Sequence, residues 1–100
     1  QGRVPVIVTR AKTEKVIPDV IKRKYLVPSD LTIAQFMYVI RKRIKLRSEQ
    51  SLFLFVGYSS ESNKCGALVP TAKTMAEVDA EYADPDGFLY VTYTGESTFG

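Results

Sequence analysis

The sequence predicts an α+β fold: a four-stranded mixed sheet carrying one long helix and one short one. Three observations lead there. Apolar runs and turn signals alternate in the order strand, strand, helix, strand, short helix, strand. Each of the two helical stretches opens on a Thr followed three residues later by Gln or Glu. Nothing between Thr9 and Lys22 has helical periodicity, so the first two strands follow one another as a hairpin and no helix intervenes. At 100 residues and 11.2 kDa, the expected organisation is one domain over residues 1–100, with residues 94–100 as a flexible tail.

Val4 to Val8 reads as the first strand, with Pro5 near its start or turned to a side that needs no donor. Residues 11–19 form a polar connection. Lys24 to Val27 is the second strand, stopped by Pro28-Ser29-Asp30, and Lys22-Arg23-Lys24 makes its entrance strongly positive. Thr32-Ile33-Ala34-Gln35 is a capping box, after which Ile33, Phe36, Met37, Ile40 and Ile44 repeat at helical spacing. That helix is expected from Ile33 to Lys45, roughly 20 Å at ~1.5 Å per residue. Ser51 to Val56 is a strand of continuous apolar character, as in one buried on both faces or central in a sheet. Residues 57–66 are a loop by composition. Thr74-Met75-Ala76-Glu77 caps a short helix to Glu81, Asp84-Pro85-Asp86-Gly87 is a turn, and Phe88 to Thr94 is the last strand. This order is that of a ubiquitin-like β-grasp.

Composition removes much chemistry. The chain has no His and a single Cys, Cys65, so His-based triads, an intramolecular disulfide and a thiolate-rich metal site are all excluded. Its longest apolar run, Leu52 to Val56, is far short of the roughly 20 residues of a membrane-spanning helix. No cofactor and no metal are expected. The charge is uneven: residues 1–50 carry 12 Lys or Arg against 4 Asp or Glu, whereas residues 51–100 carry 2 against 7. A basic half attracts acidic partners of several kinds. Nucleic acid is not among those expected, because the aromatics form no stacking platform and no nucleic-acid motif is present. Cys65 is the one candidate nucleophile, and without a base it reads as an incidental thiol.

The segment Lys24-Tyr25-Leu26-Val27-Pro28-Ser29-Asp30-Leu31-Thr32, continued by Ile40-Arg41-Lys42-Arg43-Ile44, resembles the autophagy ubiquitin-like modifiers of the GABARAP and microtubule-associated protein light chain type. Arg3-Val4-Pro5-Val6-Ile7-Val8 is similar to that family's first strand. Asp86 to Tyr93, with Glu96-Ser97-Thr98-Phe99-Gly100, is similar to its last strand and tail. Two departures accompany the match: the sequence starts at the first strand, without residues for the family's two helices ahead of it, and its loop at 57–69 is expected to be longer.

The resemblance implies a modifier that is the substrate of enzymes and not itself an enzyme. A cysteine protease processes and deconjugates such proteins. An activating and a conjugating enzyme carry the terminal glycine, here Gly100, to the amine of phosphatidylethanolamine. The implied setting is the cytoplasm and the autophagosome membrane, with delivery to the lysosome or vacuole.

For recognition, the resemblance implies receptors bearing an aromatic-x-x-aliphatic motif. Their aromatic residue would enter a pocket among Pro5, Ile7, Lys24, Leu26 and Phe88. The aliphatic residue would enter one lined by Tyr25, Val27, Pro28, Leu31, Phe36, Val39 and Ile40. Strand alternation supports two pockets, since Lys24 and Leu26 point one way and Tyr25 and Val27 the other. Tyr25 and Pro28 read as surface residues, whereas Phe36 and Ile40 serve equally as core. Arg3, Lys22 and Arg43 would meet the acidic flanks of the motif. The alternative is a soluble adaptor of the same fold that is never lipidated and binds motif peptides or microtubules.

Overall fold

In a computed structural model, residues 2–20, 22–57 and 66–95 are described. Cys65 lies outside them, as do residues 96–100 of the expected tail with Gly100; Thr94, expected to begin that tail, is the last residue of the final strand. The elements are β1 (Arg3–Arg10), β2 (Lys24–Pro28), α1 (Ile33–Arg43), β3 (Phe53–Val56), α2 (Met75–Tyr82) and β4 (Leu89–Thr94). The sheet order is β2-β1-β4-β3. β1 pairs antiparallel with β2 and parallel with β4, and β3 pairs antiparallel with β4, so the sheet is mixed as expected.

Alternation decides which side chains enter the core. Val4, Val6 and Val8 of β1 and Leu89, Val91 and Tyr93 of β4 turn to one face. There they meet Ile33, Phe36 and Ile40 of α1, its C-cap Ile44, and Met75 and Val78 of α2. Burying each such side chain contributes about 1.5–3 kcal/mol. The apolar stripe therefore fixes the seat of α1, and the surface charges, each worth far less, do not. Pro5 is accommodated by register. Val8 N–H donates to Arg23 O at 2.7 Å, so by alternation the Pro5 nitrogen turns toward β4, whose pairing with β1 starts only at Val6.

Both capping boxes form. Thr32 Oγ1 accepts from Gln35 N and Gln35 Oε1 accepts from Thr32 N, and Thr74 and Glu77 repeat the arrangement. The two caps lie side by side, bridged as Thr32 to Thr74, with Ile33 N donating to Lys73 O and Met75 N to Leu31 O.

Three expectations are corrected. β3 is an edge strand and not a central one. Its continuous apolar character reflects the other alternative, burial on both faces: Leu54 and Val56 enter the core, and Phe55, on the sheet's outer side, is buried where Gly66 approaches it, while Ala67 bridges Val56 along the free edge. α1 stops at Arg43, short of Lys45, because Lys45 takes φ +55 and turns the chain out of the helix. Tyr25, read as a surface residue, is 7% exposed, its ring set edge-on against Phe36 at 6.1 Å.

The polar connection after β1 is held by buried groups. Glu14 Oε2 accepts from the N–H of Val16 and Ile17 at 2.9 and 2.8 Å. Its Oε1 accepts from Thr94 Oγ1 and Gly95 N at 3.1 and 2.7 Å. Tyr93 Oη donates to Pro18 O at 2.6 Å, and burial pushes that phenol up to about 12.

Candidate functional site

β2 is the outermost strand on its side of the sheet, and no described residue pairs with its outer edge. The edge presents unsatisfied backbone donors and acceptors to an incoming extended chain. Its five residues alternate between exposed and buried, giving two unlike flanks.

The outward flank is a shallow apolar surface ringed by charge. Leu26 is 64% exposed and lies opposite Pro5 in the register, while Lys24 lies opposite Ile7. Pro5, Ile7 and Phe88 are each half-buried. Phe88 is set in place by the preceding turn. Gly87 adopts φ +93, which glycine accepts without strain, and its N–H donates to Asp84 O. Asp86 Oδ1 then accepts from Phe88 N at 2.8 Å, and Asp84 N donates to Phe88 O. The hydrogen bond from Tyr90 Oη, with that from Phe88 N, holds the Asp86 carboxyl below its ordinary range. Lys24 Nζ sits 5.1 Å from the centre of the Phe88 ring, a cation over an aromatic face. All five residues expected for the aromatic pocket thus stand on one face of the sheet.

The inward flank is more closed. Tyr25, Val27, Phe36 and Ile40 are buried in the core, and Leu31 and Val39 are half-buried beside them. Pro28 is exposed and, by alternation, shares the outward side with Lys24 and Leu26. Leu31 and Val39 are therefore the accessible residues of this group, with Tyr25 and Phe36 beneath. The Tyr25 hydroxyl is buried with no hydrogen-bond partner. Burial raises its pKa, an effect the Arg43 guanidinium partly offsets. Lys22 Nζ lies 5.3 Å from the Tyr25 ring centre. Arg3, Lys22 and Arg43 are all exposed around the edge.

Sequence reading missed the two cation–ring contacts and the turn that seats Phe88, although the Asp-Pro-Asp-Gly signal was visible. It also missed the Glu14 carboxylate beneath Gly95. A Glu in a polar stretch carries no sign of burial, and the buried Ile17 and Val20 nearby were the available clue. Among the described residues no group of His, Cys, Asp or Glu could hold a metal ion. No helix there is long and apolar enough to cross a membrane.

A family model described as "Autophagy protein Atg8 ubiquitin like" matches residues 1–100. The chain belongs to the Atg8 family. Autophagy-related protein 8 of Candida glabrata is 54% identical over 100 residues, covering all of this chain and 77% of the relative. Autophagy-related protein 8b of Arabidopsis thaliana is 54% identical over 98 residues, covering 98% of this chain and 73% of the relative. Autophagy-related protein 8B of Oryza sativa subsp. indica is 52% identical over the same length. Atg8 membership agrees with the mixed sheet and two helices of the β-grasp, and makes this a ubiquitin-like protein of autophagy.

Proposed function

We propose that this Atg8 protein is a modifier joined through Gly100 to phosphatidylethanolamine, which then recruits receptors along the β2 edge. The observation that supports recruitment is the open edge of β2, with Leu26 exposed opposite Pro5. A receptor segment adds as a strand. Its aromatic residue rests on the outward flank, and its aliphatic residue enters over Leu31 and Val39 toward Tyr25 and Phe36. Arg3, Lys22 and Arg43 steer acidic residues beside the motif, each exposed pair adding only about 0.2–1 kcal/mol.

For conjugation, the Gly100 carboxylate attacks the α-phosphate of ATP on the activating enzyme, releasing pyrophosphate and leaving an acyl adenylate, and a cysteine thiolate then displaces AMP to form a thioester. After transfer to the conjugating enzyme, the lipid amine attacks the thioester carbonyl. An amide forms, the thiolate leaves, and the amine gives up its proton. Glycine suits these steps because it brings no side chain into the enzymes' clefts. The two acyl chains then give durable anchoring where one would be marginal. The protein resides in the cytoplasm and on the autophagosome membrane, and travels with its cargo to the lysosome or vacuole. A cysteine protease exposes the terminal glycine and later releases the protein.

The test is the intact mass of the membrane-bound pool from starved cells, with the mass of its C-terminal peptide. A phosphatidylethanolamine adduct on Gly100 upholds conjugation. An unmodified Gly100 in a protein that binds motif peptides leaves the soluble adaptor. Gly100→Ala is expected to abolish the adduct with peptide affinity unchanged.

A further inference from the structure

Helix α1 has two flanks, and the edge of β2 uses only one of them. At 100° per residue, Val39 and Arg43 project toward β2, whereas Arg41 projects from the far flank, Tyr38 and Lys42 stand on the solvent-facing crest, and Lys45 follows the helix in the turn that ends it. On that far side a shallow depression of about 600 Å³, largely open to solvent, is lined by Tyr38, Arg41, Lys42, Lys45, Leu46 and Ser48. Four features make it more than a solvated face.

The first is its charge. Three cations line it, and Glu49, the one acidic residue between positions 31 and 60, pairs with Arg47 at 3.2 Å. No described carboxylate pairs with Arg41, Lys42 or Lys45. The second is its wall. Tyr38 is 60% exposed, with Lys42 Nζ held 5.2 Å from its ring centre, and Leu46 is half-buried against the core. The third is its frame: the Arg41 guanidinium donates to the carbonyls of Arg47 and Ser48 at 2.9 and 3.4 Å, closing the loop around the depression.

The fourth is Lys45 itself. Leu46 N–H donates to Arg41 O and Lys45 N–H to Lys42 O, the pair of bonds that ends a helix in a left-handed residue. That residue is ordinarily glycine. Here it is lysine at φ +55, the one non-glycine with positive φ among the described residues. A charged side chain at a position that favours glycine supports a functional reading of that side chain.

We propose that this depression is a second docking site, for an acidic peptide segment of a partner protein in which carboxylates flank an apolar side chain. The apolar side chain meets Tyr38 and Leu46, and the carboxylates meet Arg41, Lys42 and Lys45. A peptide is favoured over a bilayer because the three cations surround two apolar groups, Tyr38 and Leu46, a mixed pattern that a segment carrying both carboxylates and an apolar side chain complements. The site is independent of the β2 edge and of conjugation through Gly100.

The test is a titration of the isotope-labelled chain with the acetylated peptide Glu-Glu-Leu-Glu-Glu, followed by amide chemical shifts. Shifts are expected at Tyr38, Lys45, Leu46 and Ser48, with Lys24 to Pro28 unmoved. Lys45→Gly should raise the melting midpoint by about 4 °C while weakening the peptide about five-fold. Lys45→Gln should weaken it similarly with no gain in stability. The proposal is overturned if no shifts occur, if they fall on β2, or if Lys45→Gly leaves the affinity unchanged. It is also overturned if the peptide fails while phosphatidylserine vesicles bind in a Lys45-dependent manner.

Discussion

The Glu14 carboxylate and the Gly95 N–H are joined at 2.7 Å, so the connection after β1 grips the first residue beyond β4. Burial alone would push the carboxyl up. Hydrogen bonds from Gly95, Ile17, Val16 and Thr94 together outweigh it and bring the value down from 4.5 to about 2. A depressed folded-state value means stability that is complete above the unfolded value and lost as pH falls through the folded one. Glu14 therefore contributes on the order of 3 kcal/mol at neutral pH, declining below about pH 4.5 and exhausted near 2. In urea unfolding from pH 7 to 2, Glu14→Gln should start about 2 kcal/mol less stable and converge on the parent chain in acid. Parallel curves would refute the clamp.

The adjoining caps give a second expectation. Thr32→Ala and Thr74→Ala should each cost about 1 kcal/mol, the usual value of a lost N-cap. Because the two residues bridge each other, the double variant should depart from the sum by at least about 0.5 kcal/mol. Strict additivity in denaturant midpoints would show that the caps act separately.

At the β2 edge, neighbouring residues should separate affinity from stability. Leu26→Ala should weaken an aromatic-x-x-aliphatic peptide more than three-fold while changing stability by less than about 0.5 kcal/mol, since Leu26 is mostly exposed. Tyr25→Phe removes a buried hydroxyl that has no partner and should leave stability equal or up to about 1 kcal/mol higher. Calorimetry and thermal melts on the same samples decide both. A Leu26→Ala chain that binds the peptide as well as the parent would remove the outward flank from the site.

Two glycines with positive φ should differ in their tolerance. A Cβ at Gly57 would lie 2.9 Å from Tyr82 Cδ1, whereas at Gly87 it meets nothing within 4 Å. Gly87→Ala carries backbone strain alone, about 1 kcal/mol, and Gly57→Ala should lose roughly twice that. Equal losses would mean that the Tyr82 ring yields freely.

What the sequence showed and what it hid follow a physical division. Elements set by local chemistry were legible: the Thr-led caps, the Ile33–Ile44 stripe, the Asp-Pro-Asp-Gly turn and the alternation of Lys24 to Val27. Features set by partners distant in the chain were not. Leu52 to Val56 has the same letters whether its second face is covered by another strand or by Gly66 and Ala67. Tyr25 reads as amphipathic until Phe36 is brought against it. Lys45 breaks the helix in a conformation its residue type disfavours, so no propensity could announce it. That Lys24 and Leu26 share one face was legible for the same reason that the strands were, since it follows from period-two alternation.

The parallel pairing of β1 with β4 has a consequence for how the protein is made. These are the first and last strands of the fold, and they form the middle of the sheet, with Thr9 and Thr92 in contact across 83 residues. A nascent chain leaving the ribosome can form the opening hairpin and α1 but has no sheet centre on which to lay them until β4 emerges. Closing so long a loop is entropically costly, and contacts this distant slow folding. Folding should therefore come late in synthesis and as a single event. Chains interrupted before β4 would expose Val4, Val6 and Val8 without cover, which makes them ready clients for chaperones and degradation.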